Sequence, residues 1–159
     1  MKALLPATAA ALAVLSLCSC SGKKENTTDT AATVAGPSIV GKWNIENVVV
    51  NDSVYARPAE ITPGVEQYII FNADSTYAVA TNCNSIGGPY VVSGDTITIG
   101  DSFRTEMACD NMTVEDLLVQ VLPDVKVIDF TNDSTLRLNS ATDGRYIVLT
   151  KVSEADSAE

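Results

Sequence analysis

The sequence predicts a mostly β fold, a small antiparallel barrel that one amphipathic helix plugs or interrupts. Three observations predict it. Short runs of alternating polar and apolar residues recur from Gly41 to Thr150, at the regular spacing that barrels and sandwiches share. Clusters rich in Asn, Asp, Ser, Thr and Gly separate those runs and suit tight turns. A single stretch, about 114–122, instead carries its apolar residues at helical spacing, and it falls before the last strands. That placement favours a barrel over a sandwich.

Taken in order, Gly41-Lys42-Trp43-Asn44-Ile45-Glu46 alternates and puts Trp43 and Ile45 on the core face, with Val48 to Val50 continuing the strand. Asn51-Asp52-Ser53 turns the chain, and Tyr55 to Gly64, which carries Pro58 and Pro63, reads as irregular loop. Val65 to Phe71 is a strand, Asn72 to Ser75 a turn, and Thr76 to Thr81 the returning half of a hairpin. Pro89 to Val92 and Thr96 to Ile99 flank the turn Ser93-Gly94-Asp95. Thr113 followed three residues later by Asp116 has the form of a capping box. Val114, Leu117, Leu118, Val121 and Leu122 then line one helical face, and Pro123 ends the run. Val125 to Phe130, Thr135 to Leu138 and Tyr146 to Thr150 close the domain.

Composition excludes several functions. The 159 residues hold 10 basic and 20 acidic side chains, a net charge of −10. Nucleic-acid binding needs a basic face, and nothing here supplies one. Histidine is absent, so no Ser-His-Asp or Cys-His arrangement can be built from this chain. The usual zinc ligand and pH switch are missing with it.

The front end reads as an export and anchoring segment. Met1-Lys2 is followed by an apolar run, Ala3 to Leu17, too short to span a bilayer and suited to a signal-peptide core. Leu17-Cys18-Ser19-Cys20 resembles the bacterial lipobox, with Leu three positions before Cys20 and a small residue just before it. The resemblance implies cleavage after residue 19 and lipid on Cys20, which would tie the chain stably to a membrane. Ser21 stands where an Asp would resemble an inner-membrane retention signal, so the expected location is the outer membrane of a Gram-negative envelope. Residues 20–37 are small and polar and read as a flexible tether with a span on the order of 20 Å. The folded domain is expected over 38–152, with a loose acidic tail over 153–159.

The densest motif runs from Asn82 to Cys109. With Gly41-x-Trp43 ahead of it, the pattern Asn82-Cys83-Asn84, Gly88-x-Tyr90, Thr105-x-Met107-Ala108-Cys109 and Glu115 resembles the META domain family, which includes HslJ-like lipoproteins. The family often has Gly just before the Cys-Asn pair, where this chain has Ala80, Thr81 and Asn82. The resemblance implies a cracked antiparallel β-barrel with one helix, similar in outline to lipocalins and secretin pilotins. It also implies an envelope protein associated with stress and antibiotic tolerance, with no catalytic residue, cofactor or metal to carry over.

Cys83 and Cys109 either form a disulfide or stay as two buried thiols; a bridge would close a loop of about 27 residues and stabilise by roughly 3–4 kcal/mol. Asn82, Asn84, Gly87 and Gly88 form either a ligand loop or a tight corner that needs positive φ. Glu115 and Asp116 either join Arg104, Thr105, Glu106 and Asp110 in a polar site or simply face the helix dipole. Asp followed by Ser or Thr recurs at Asp29, Asp52, Asp74, Asp95, Asp133 and Asp156, and resembles a bacterial O-glycosylation acceptor. The function expected is non-enzymatic binding of an unknown envelope partner by a lipid-anchored domain. The alternatives are a carrier of an apolar ligand inside the barrel and an inhibitor of an envelope-attacking hydrolase. A barrel filled by Trp43, Ile45, Phe71, Tyr90 and the helix would leave the carrier no room.

Overall fold

The computed structural model describes residues 37–153. The expected leader, Cys20, most of the expected tether and all residues beyond 153 lie outside the described residues. Ten strands form among the described residues: β1 (Gly41–Val50), β2 (Val54–Ala56), β3 (Tyr68–Phe71), β4 (Thr76–Ala80), β5 (Ser85–Ser93), β6 (Thr96–Ile99), β7 (Phe103–Arg104), β8 (Val125–Asn132), β9 (Thr135–Ser140) and β10 (Tyr146–Lys151). Eight of them close a ring in the order β1-β3-β4-β5-β6-β8-β9-β10, and β10 pairs back onto β1. All these pairings are antiparallel. The mostly β barrel expected from the sequence is therefore the fold.

Closure rests on β1, the longest strand. Its first half pairs β3, Trp43 to Val49 pair β10, and its end pairs β2. A bulge between Ile45 and Asn47 lets it bend to do so. The opposite side of the ring is thin. There β6 meets β8 at Thr96 and Val127, reinforced by the Ile128 N–H donated to the Asp95 carbonyl at 2.7 Å. The ring is therefore closed, and thinnest at this seam.

Alternation along the strands fills the interior. Trp43, Ile69, Phe71, Ile97, Leu136, Leu138, Ile147 and Leu149 are fully buried. Phe71 packs edge-on against Tyr90 at 5.1 Å between ring centres. Buried indole and phenol groups need partners: Trp43 Nε1 donates to the Ile39 carbonyl at 2.6 Å, and the Tyr90 hydroxyl to the Asn72 carbonyl at 2.8 Å. Val114, Leu117, Leu118, Val121 and Leu122 join the same core from the helix.

Several local expectations need correction. The stretch expected as irregular loop contains β2 and a short helix, α1 (Pro58–Ile61), so the long helix is not alone. Proline at the first helical position starts α1 because its missing N–H has no intrahelical role there. The strand expected from Val65 begins at Tyr68. The long helix, α2, spans Thr113–Val121, and Leu122–Asp124 wind on as a 3-10 turn because Pro123 suits its first turn. Met112, not Thr113, is the N-cap, and no side chain caps it. Thr113 is already helical, so the capping-box reading fails.

Candidate functional site

The motif residues converge on one place, where the corner between β4 and β5, the segment 105–112 and the first turn of α2 meet. Asn84 sits at its centre, 3% exposed. Its Oδ1 accepts from Thr105 Oγ1 at 2.7 Å and from the Met107 N–H at 2.8 Å. Its Nδ2 donates to the Met107 carbonyl and to Glu115 Oε1, both at 3.0 Å. One amide therefore ties the crossing segment by both backbone groups of Met107 and ties it again to the helix.

Glu115 is fully buried. Asn84 reaches its Oε1, and Thr81 Oγ1 lies 3.1 Å from its Oε2. The macrodipole account therefore covers the exposed Asp116 only; Glu115 is turned inward as a structural acceptor. Arg104 Nη1 is 4.0 Å from Glu115 Oε1 and the Arg104 side chain is half exposed, so this ion pair is weak. Thr81 also accepts the N–H groups of Cys83 and Asn84, at 3.2 and 2.9 Å. This hydroxyl turn, with no positive φ at residues 80–82, explains why the corner forms without the glycine common in the family.

The disulfide alternative is the one the structure holds. Cys83 and Cys109 are bridged, with their Cα atoms 6.0 Å apart. Asn82 Nδ2 donates to the Asn111 carbonyl at 2.6 Å and fixes the far end of the same segment.

Gly87 and Gly88 are corrected as well. They lie within β5, not in a turn, and neither has positive φ. Closeness is their reason: a Cβ on Gly88 would stand 2.7 Å from the Asp101 carbonyl oxygen, and one on Gly87 2.7 Å from Phe103 Cζ. The missing side chains let residues 101–104 cross directly over β5, where β7 pairs Ile86 and Gly87. Sequence reasoning missed β7, since two exposed residues have no periodicity to read. Trp43 and Tyr90 belong to the core rather than to this site, and Ala108 lies exposed on the segment.

Outside this polar knot the surface carries Phe103, 69% exposed, and Met107, 58% exposed. A shallow cleft of about 210 Å³ opens beside Arg104, Glu106, Met107 and Met112. A larger groove of about 490 Å³ opens between Ile99, Ser102 and Arg104 on one side and Val119 and Leu122 on the other. Among the described residues no cluster of three or more His, Cys, Asp or Glu is placed to hold a metal ion. Ser53, Ser75, Thr96 and Ser134 of the Asp-Ser/Thr sites are exposed, and the copies at Asp29 and Asp156 lie outside the described residues.

The fold and the stapled knot define a small closed barrel built to hold one crossing segment. The chain belongs to the META domain family, whose model matches residues 38–153. In solved structures the barrel is similar to a protein from Burkholderia xenovorans, with 13% identity, a TM-score of 0.59, and 72% of this chain and 83% of that one covered. A second NMR structure is 18% identical with a TM-score of 0.56, covering 79% of this chain and 99% of that one. A DUF4847 family protein from Bacteroides vulgatus is 14% identical with a TM-score of 0.50, covering 70% and 92%. At such identities the likeness is one of fold. No curated protein matches the chain.

Proposed function

We propose that this chain is a non-enzymatic binding module, held at the bacterial envelope by lipid on Cys20, that presents the segment 101–112 to a protein partner. One observation carries the reading. All four hydrogen bonds of the Asn84 side chain to Thr105, Met107 and Glu115, together with a disulfide, hold that segment in place. Its outer side chains Phe103 and Met107 are left in solvent. Holding an exposed loop rigid lowers the ordering cost of binding through it. The lipobox-like Leu17-Cys18-Ser19-Cys20 supports the anchoring and the outer-membrane location. An inhibitor of an envelope-attacking hydrolase is the form of this reading in which the partner is an enzyme. The carrier reading has less support, because the barrel interior is filled by Trp43, Phe71, Leu118 and their neighbours.

Photocrosslinking residues placed at 103 or 107 in the native envelope test the surface. Both positions should capture the same protein, and Val91, which is 65% exposed on β5, should not. Capture from Val91 alone would refute the assignment of the surface. Cys20→Ser should move the protein from the membrane to the soluble fraction.

A further inference from the structure

We infer that the sulfur of Cys109 is a directed site of thiol–disulfide exchange, and that it favours cationic over anionic thiols. The two ends of the bridge differ. Cys83 is 8% exposed and belongs to the buried corner, whereas Cys109 and its neighbours from Asp101 to Asp110 are exposed. Access decides which sulfur an incoming thiolate attacks. The step is then defined: the thiolate bonds to Cys109 Sγ, the Cys83–Cys109 bond breaks, and its electron pair leaves on Cys83. The proton given up by the incoming thiol returns through solvent to the Cys83 thiolate. No outside oxidant is needed, and the reverse step restores the bridge.

The fold tolerates the open state. Met107 stays tied to Asn84, and Asn111 to Asn82, so exchange loosens 108–110 without releasing the segment. Charge sets the preference. Asp110 adjoins Cys109, and Glu106 and Asp116 stand nearby in sequence, all exposed. Within residues 101–112 three acids, Asp101, Glu106 and Asp110, stand against one cation, Arg104. Local negative charge repels an anionic thiol and attracts a cationic one. This chemistry needs no partner protein and does not depend on the proposed binding role.

The test uses the full chain carrying Cys18→Ser and Cys20→Ser, oxidised, with glutathione or cysteamine in large excess at equal thiolate concentration. Early acid quenching, alkylation and peptide mass mapping then locate the adduct. The native protein should carry it on Cys109, with Cys83 free, by at least about tenfold over the reverse. Cysteamine should react severalfold faster than glutathione at low salt, and high salt should close that gap. In concentrated guanidinium the positional preference should fall to near parity. An adduct mainly on Cys83, an even split in the native protein, no exchange at all, or glutathione matching cysteamine at low salt would each overturn the inference.

Discussion

Replacing Asn84 by alanine should lower the stability of the domain by about 3–5 kcal/mol and leave it folded. The side chain makes four hydrogen bonds in the knot, of 2.7, 2.8, 3.0 and 3.0 Å. Three end on Thr105 and Met107, both exposed residues. Water can take over there, so each bond contributes only about 0.5–1 kcal/mol net. The fourth ends on Glu115, which water cannot reach, and leaving such an acceptor short costs about 1–3 kcal/mol. The total is a large share of the roughly 5–15 kcal/mol that holds a domain together. The bridge from Cys83 to Cys109 keeps the segment attached meanwhile.

Urea unfolding read by fluorescence measures it, since Trp43 is the chain's one tryptophan and is fully buried. The midpoint should fall with the slope unchanged. Asn84→Asp keeps the shape but loses both N–H donors and sets a second carboxyl against Glu115, so it should cost at least as much as alanine. A double-mutant cycle of Asn84→Ala with Glu115→Gln should show coupling of about 1–2 kcal/mol. An Asn84→Ala protein within 1 kcal/mol of its parent, or a cycle without coupling, would show that the knot does not hold the segment.

Removing the bridge by Cys83→Ser with Cys109→Ser should lower stability by about 3.5 kcal/mol, the chain-entropy value for a separation of 26 residues, measured by the same unfolding curves. Gly88→Ala should destabilise more than Gly87→Ala, because the added methyl meets the Asp101 backbone in the first case and mainly the exposed Phe103 ring tip in the second; thermal melts rank the two. Leu118→Asp should abolish cooperative folding, since it buries an unpaired charge in a fully enclosed position, and a soluble variant with a normal melt would contradict that. Asp124 accepts from the Thr142 hydroxyl at 2.6 Å and from Ser140 Oγ at 2.7 Å, and these bonds, Thr142 first, hold its carboxyl below the usual range. A depressed carboxyl stabilises fully above the unfolded value of about 4, and the contribution fades as pH falls through the lower folded value. Asp124→Asn should therefore flatten the loss of stability in that acid window, as seen in unfolding midpoints against pH.

Strands were legible wherever one face is wet and the other buried. Trp43 and Ile45, and Ile97 and Ile99, alternate with polar neighbours and all point inward. Ring closure was less legible, because which strand pairs with which depends on the bulge at Ile45/Asn47 and on a seam of one residue pair. Neither leaves a periodic trace. The knot was legible as a set of residues, through the family pattern, but not as an arrangement. Glu115 read as an ordinary acid at a helix start because sequence cannot show that an upstream amide waits inside. Gly87 and Gly88 read as turn residues because glycine serves both positive φ and close approach, and only the crossing of residues 101–104 separates the two.

That crossing also ranks the constraints on the segment. Glycines admit it to the surface of β5, the Asn84 amide fixes its middle at Met107, Asn82 fixes Asn111, and the bridge ties Cys109. These are different kinds of force: steric room, hydrogen bonding and a covalent bond. Loss of the bridge or of the Asn82 bond leaves the Asn84 amide holding the middle of the loop, so those substitutions should lower stability without randomising it. A segment held only to complete a core would bury its own large side chains. This one leaves Phe103 and Met107 in solvent and buries none of its own side chains, while the Asn84 and Glu115 groups that hold it are buried beneath. The proposed contact surface is therefore expected to survive reduction of the bridge in shape, and to fail in the Asn84 variants. Partner capture from position 107 should follow the same order, weakened little by Cys83→Ser with Cys109→Ser and strongly by Asn84→Asp. The reverse order would place the constraint in the covalent bond and remove the amide from the centre of the site.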